Sequence, residues 1–493
     1  MRKAFLIFLL GFIHFEAVKG QSSSDFGMDS LFVLSDTTET LSFNDFYKMV
    51  LAFHPIVQQA DLLSEQARQE IRLARGGFDP KLKANWDLKE FKDTRYYNIL
   101  NTTLEIPTWL PIDAKVTFDR NLGDQDGRFL NDERSIPDDD DNEQLSFGLS
   151  FDLGAGLLID ERRAAFRKAQ IFSDMAEAER IKEINKILLT AVKDYWNWYF
   201  SYYNFRLFNR SVIIAQDIFD RVKLNYELGE ASVIDTVQAK ITLQGRISDT
   251  QQARIDYLRS SFILSNHLWG QGGLPLDLRE GTAPPPIPDF ANTLTEEELV
   301  NLLKAAESNH PELRKLDFKL DQLQIENRLF KEYLKPEVNF DYSIIDQPIT
   351  TQGETDGLTF EDNFKFGLNF SYPLFLRKER AKIQKNELKS TETVFERNYR
   401  RQQILTEVNG NYARIINSAV ILDQQQQMAE GYRRLVEAEF LNLRNGESDL
   451  FKINAQQEKY IESYSKFLKT RTTLEKSKAE LYWAAGIENL NLN

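Results

Sequence analysis

The chain has 493 residues, 42% of them hydrophobic, and a formal net charge of −14 with a pI near 5.1. That balance excludes a nucleic-acid binder, because no excess of basic residues is there to track phosphates. The lack of cysteine excludes disulfides, thiolate chemistry and lipid attachment through an N-terminal Cys.

In chain order, Arg2 and Lys3 precede a mostly apolar run that ends at Phe15, and Val18 and Gly20 stand at small-residue cleavage positions. This is the pattern of a signal peptide over residues 1–20, cut before Gln21, and the apolar run is too short to span a bilayer. No later stretch reaches about 18 consecutive apolar residues, so the expected mature protein is exported and has no transmembrane helix.

The rest reads as one unit written twice, over 21–270 and 295–493, joined by a Gly/Pro-rich connector at 271–294. His54-Pro55 and Pro80 recur 256 residues later as His310-Pro311 and Pro336. Farther on the offset is 217, where Arg163-Ala164 matches Arg380-Ala381 and Gly229-Glu230 matches Gly446-Glu447. The first unit therefore holds 39 extra residues between Pro80 and its long helix.

Each unit is predicted to open with a short helix and then a medium one, Pro55–Arg75 and 311–333, begun by Pro in the first turn. Alternating strands follow, within about 81–155 and 337–372; Phe364, Phe366, Leu368, Phe370 and Tyr372 share one face. Among the extra residues Ile112, Ala114, Val116 and Phe118 also alternate, 104–106 could pair with them, and an acidic loop with Asp138, Asp139, Asp140 and Asp141 comes after. Helical hairpins close each unit, over 161–268 and 379–485.

The long helix at 161–228 has no Gly or Pro after Glu161, and Leu188, Ala191, Tyr195, Trp198, Tyr202 and Phe205 keep the three-four spacing of a coiled-coil seam. A second seam of Phe208, Val212, Ala215, Phe219, Val222 and Tyr226 follows after a three-residue step. Leu405, Val408, Tyr412, Ile415, Ala419 and Leu422 repeat the first seam at offset 217. Gly229 and Gly446 end the long helices, and Ser232 and Asp449 cap the returning ones.

Short two-faced strands with aromatics on the apolar face fit the wall of an outer-membrane barrel, and so few strands per chain need several copies to close one. The sequence resembles the TolC family of outer-membrane channel proteins over nearly all of the mature chain. The resemblance rests on the signal peptide, the duplicated helix–strand–strand–helix–helix plan, and the turns at 226–235 and 443–450. It implies a mainly α fold with a small β part: a homotrimer with an α-helical periplasmic tunnel below an outer-membrane β-barrel in contact with lipid. It also implies an exit channel for efflux or type I secretion, a passive duct served by a periplasmic adaptor and an inner-membrane pump. Carried over by position, the adaptor-docking tip is Gly229, Glu230, Ala231, Ser232 and Asp235 with Gly446, Glu447, Ser448 and Asp449. Lys452 and Ala455 stand where some relatives narrow the entrance with carboxylates. For the 39 extra residues the family count favours two strands per unit, with the insert folded against the lumen or outer rim. A membrane-spanning hairpin turned at 107–111 is the other arrangement.

A periplasmic coiled-coil adaptor or scaffold is the alternative function. No catalytic set, cofactor cradle or metal cluster stands out, so no enzyme activity is expected. One imidazole per position makes His54 and His310 structural helix junctions rather than a metal site. The aromatic run Tyr195, Trp196, Trp198, Tyr199 is expected between helices, and the Asp138 loop in solvent.

Overall fold

The computed structural model describes residues 39–92, 94–121, 143–279, 281–286, 294–346, 363–445 and 447–487. The expected signal peptide, the Asp138 to Asp141 loop, residues 287–293 of the connector and Gly446 lie outside the described residues.

The first repeat holds α1 (Phe43–Phe53), α2 (Pro55–Arg75), β1 (Lys81–Phe91), β2 (Thr94–Ile106), β3 (Ile112–Asn121), β4 (Glu143–Asp152), α3 (Glu161–Glu227) and α4 (Val233–Ser265). The second holds α5 (Glu296–Asn309), α6 (Pro311–Glu332), β5 (Glu337–Asp346), β6 (Phe364–Ser371), α7 (Arg377–Arg444) and α8 (Leu450–Ala484). α3 and α7 run for 67 and 68 residues, so each is a rod of roughly 100 Å. Asp160 starts α3 by accepting from the Arg163 amide at 2.8 Å. α7 passes unbroken through Gly410 and Gly431.

A helix that long cannot bury its stripe alone. α2 and α4 lie along one side of α3, α6 and α8 along the other, and α7 closes the far edge against α6 and α8. The layer is thus four helices wide at both ends. The main core is the middle of this layer, where α1 and α5 pack on the long helices. The aromatic run sits there as expected. Tyr195, Trp198, Tyr199 and Tyr203 are buried, Phe46 stacks on Tyr195, and the Tyr195 hydroxyl donates to the Leu41 carbonyl at 3.0 Å.

The two seams are buried unequally. Leu188, Ala191, Tyr195 and Trp198 are buried, as are Ala215 and Val222, but Tyr226 is exposed. In the second repeat Val408, Ile415 and Leu422 are buried, whereas Leu405, Tyr412 and Ala419 are only half-buried; Ile404 faces the core in place of Leu405. The reason is position: α3 has neighbours on both sides, and α7 is at the open edge.

The His-Pro pairs are helix junctions. His54 Nδ1 accepts from the Ile56 amide at 3.2 Å, and His310 Nδ1 from the Glu312 amide at 3.2 Å, each capping a helix whose next residue is Pro. Burial pushes both imidazoles down to about 4, with His267 adding to the effect at His54, and the neutral ring is the form that can accept.

The largest departure from expectation is the sheet. The preference for two strands per repeat is overturned: the first repeat contributes four. Among the described residues, six strands form one antiparallel meander in the order β1-β2-β3-β4-β5-β6. The 39 extra residues account for β2 and β3, with their turn at 107–111 on the helical side. Asn101 and Thr103, which break the apolar run in sequence, are paired with Asp119 and Thr117 on β3.

Candidate functional site

The register gives the sheet two chemically distinct faces. Pairs on one face are Leu82–Leu104, Trp86–Leu100, Leu104–Val116, Val116–Phe147, Leu149–Tyr342, Phe340–Leu368 and Val338–Phe370. Pairs on the other are Lys83–Thr103, Asn101–Asp119, Thr117–Ser146, Ser150–Asp341 and Asn339–Asn369. The polar face is internally bonded. Lys83 Nζ lies 2.7 Å from Glu105, Asn101 donates to Asp119, and the Thr103 and Thr117 hydroxyls are 3.3 Å apart. Five of the six strands have 10–13 residues and β6 has 8, near the roughly 9–11 that a tilted strand needs to cross a bilayer. No described helix is long and apolar enough to cross a membrane.

Where the sheet meets the helices, two devices hold the halves together. The Leu153 amide donates to the Val338 carbonyl at 2.8 Å and the Ala155 amide to the Pro336 carbonyl at 2.9 Å. A Cβ on Gly154 would lie 1.9 Å from that Pro336 oxygen, so the close approach requires glycine. Beside it, Arg162 donates to Asp113 at 3.2 Å, and the buried Arg163 reaches Asp160 at 3.0 Å and the carbonyls of Gly156 and Leu157. Trp109, in the β2–β3 turn, sets its ring against Phe166 at 5.3 Å and Phe78 at 5.2 Å. Apart from the local bonds of Arg163, these contacts join residues far apart in sequence; the one hint was the repeated Arg-Ala pair, and it marks a buried arginine in the first repeat alone, since Arg380 is exposed.

The opposite end carries the two turns. Gly229 has φ +80°, its amide donates to the Tyr226 carbonyl at 3.0 Å, and the Glu230 amide reaches back to Asn225 at 2.8 Å. This is a helix stop that needs a left-handed residue. Ser232 and Asp235 then form a reciprocal capping box for α4. The second turn repeats the design: the Glu447 amide donates to Asn442 at 2.8 Å, Asp449 caps α8 through the Lys452 amide at 2.9 Å, and Ser448 donates to Glu439. A small core of Ile218, Val222, Ala239 and Ile453 backs both turns, and Asn454 donates to Thr242 across it at 3.3 Å. The described tip residues Gly229, Glu230, Ala231, Ser232, Asp235, Glu447, Ser448 and Asp449 thus gather at one end. Lys452 lies 3.8 Å from Asp449, so the second turn's negative charge is partly offset there.

Sequence reasoning missed the apolar part of this tip. Leu228, Val233, Ile234 and Phe451 are exposed. Ile234 and Phe451 are the same position in the two repeats, 217 residues apart, which was the available signal. Among the described residues no group of acidic and histidine side chains could hold a metal ion.

Residues 302–486 match the family model described as outer membrane efflux protein. No curated protein sequence matches the chain. Solved structures match it over nearly its whole length. The Campylobacter jejuni CmeC outer membrane channel is 13% identical with a TM-score of 0.63, covering 96% of this chain and 94% of that one. The outer membrane protein VceC of Vibrio cholerae is 15% identical with a TM-score of 0.62, covering 90% and 95%. The Neisseria gonorrhoeae MtrE outer membrane channel, in its open state, is 15% identical with a TM-score of 0.60, covering 90% and 88%. The second repeat thus matches the outer membrane efflux protein family by sequence, and the whole chain shares the fold of solved outer membrane channels.

Proposed function

We infer that this protein is the outer-membrane exit duct of a tripartite efflux or type I secretion system, assembled as a homotrimer. The observation that carries the reading is the pairing of a two-faced sheet with a capped, exposed tip at opposite ends of a roughly 100 Å helical layer. The apolar face meets lipid, the polar face lines the exit, and the helices carry the passage across the periplasm. The duct is passive. An inner-membrane pump supplies the energy, and a periplasmic adaptor docks on 229–235 and 446–452; Ile234 and Phe451, exposed on the two turns, supply apolar contacts for it. Lys452, paired with Asp449, gives this entrance a weaker negative charge than carboxylates at that position would.

Fractionation and a tip variant test this reading. The protein should appear in the outer membrane as a heat-modifiable trimer. Ser448→Trp, which adds bulk without a backbone penalty, should leave the trimer in place and abolish export. Normal export with intact adaptor crosslinking would remove the second turn from the docking surface. A soluble monomer would instead support a periplasmic scaffold.

A further inference from the structure

The sheet is wider than a duplicated two-strand unit would make it, and the extra width matches the helices. Four helices at about 10 Å between axes make a layer roughly 40 Å across. Strands about 4.8 Å apart and tilted by about 40° each occupy roughly 6.3 Å of a barrel's circumference, so four span about 25 Å and six about 38 Å. Six strands fit the layer and four fall short by more than one helix. The connections agree: β1, β4, β5 and β6 join α2, α3, α6 and α7, and both sets stand in that lateral order. β2 and β3 have no helix beneath them and fill the difference. They are built as wall, continuing both faces of the sheet on either side, and Trp109 and Asp113 anchor their turn to α3.

We propose that the β2–β3 hairpin sets the calibre of the exit: β1 of one copy pairs with β6 of the next, and three copies close a barrel of eighteen strands. This rests on the trimeric reading above. β1 rises from α2 and β6 descends to α7, so neighbouring copies meet antiparallel with their apolar faces on the same side. The interface continues below, where Leu62 and Leu73 on α2 and Leu388 and Phe395 on α7 are exposed at the two open edges of the layer. Such a barrel is about 36 Å across between strand axes, against about 24 Å for twelve strands. A ring of twelve helices is about 35–39 Å across, so the exit does not narrow above the tunnel. The hairpin also adds Asn101, Thr103, Glu105, Lys115, Thr117 and Asp119 to the polar lining, which suits bulky hydrophilic cargo.

The test uses the full-length protein in outer-membrane vesicles and counts copies and strands separately. Light scattering of the extracted protein gives the copy number, expected to be three. A lipid-soluble maleimide should modify Leu100→Cys and Val116→Cys and spare Asn101→Cys and Thr117→Cys, which a water-soluble maleimide should reach. Asn85→Cys combined in turn with Gly367→Cys, Asn369→Cys or Ser371→Cys should give an intermolecular disulfide in at least one pairing. A trimer whose Leu100→Cys and Val116→Cys are inert to the lipid-soluble reagent, or that forms no β1–β6 crosslink, overturns the proposal and leaves the trimer standing. A different copy number overturns the eighteen-strand count through the trimer reading alone, recognisable because the labelling would still alternate.

Discussion

In the first repeat the long helix starts at Asp160, whose carboxylate caps it and pairs with Arg162 and Arg163. In the second repeat Leu376 stands at the same junction with φ +50° and no side-chain cap. The first junction carries a hairpin that the second lacks, and its polar staples hold that hairpin's turn. The first long helix is also packed on both sides, and the second forms an edge. Duplication supplied one plan, and the central and edge positions then imposed different demands on the two copies.

Paired substitutions at matched positions sharpen this contrast, and all are read as the temperature at which the protein melts. The largest difference is expected in the seams. Leu188→Asp places a charge where no solvent reaches and should cost about 3–5 kcal/mol, preventing assembly. Leu405→Asp, half-buried at the matched position, should cost about 1 kcal/mol. Equal losses would mean that the two helices are not central and edge.

The junction comes next. Asp160→Ala removes a cap and strands the buried Arg163, for about 3 kcal/mol. Arg380→Ala, on the exposed counterpart, should change stability by less than about 0.5 kcal/mol. Gly154→Ala should cost about 2 kcal/mol by forcing the β4 end away from Pro336.

The smallest effects should be alike in both repeats. His54→Ala and His310→Ala each remove a helix cap, worth about 1 kcal/mol. Because burial holds both rings near 4, the unfolded chain takes up protons below about 6.5 that the folded one refuses. Their contribution is complete above that pH and is lost as the pH falls toward about 4. Replacing both by Asn, which caps without titrating in this range, should flatten this part of the pH–stability curve.

Much of this was legible in the sequence because it is local. Caps at Ser232 and Asp449, the stop at Gly229 and the Pro starts at Pro55 and Pro311 depend on a few neighbouring residues, and those boundaries agree with the structure to within a few residues. The two matched turns at one end of the helical layer followed from the repeat. The strand count did not follow, because Asn101, Thr102 and Thr103 look unlike a lipid-facing strand until pairing puts Asn101 and Thr103 on the polar face. The exposure of Leu405 was likewise invisible: the repeat makes it equivalent to Leu188, and only the order of helices in the layer separates them. Trp109 against Phe166 needed the fold itself.

If the sheet is a barrel wall, its apolar face meets lipid. The most direct measurement compares Phe366→Cys with Lys365→Cys, adjacent residues on opposite faces of β6 in the second repeat. In outer-membrane vesicles a lipid-soluble maleimide should modify Phe366→Cys alone, and a water-soluble one Lys365→Cys alone. Reaction of both positions with the water-soluble reagent, in protein recovered from the periplasmic fraction, would contradict it.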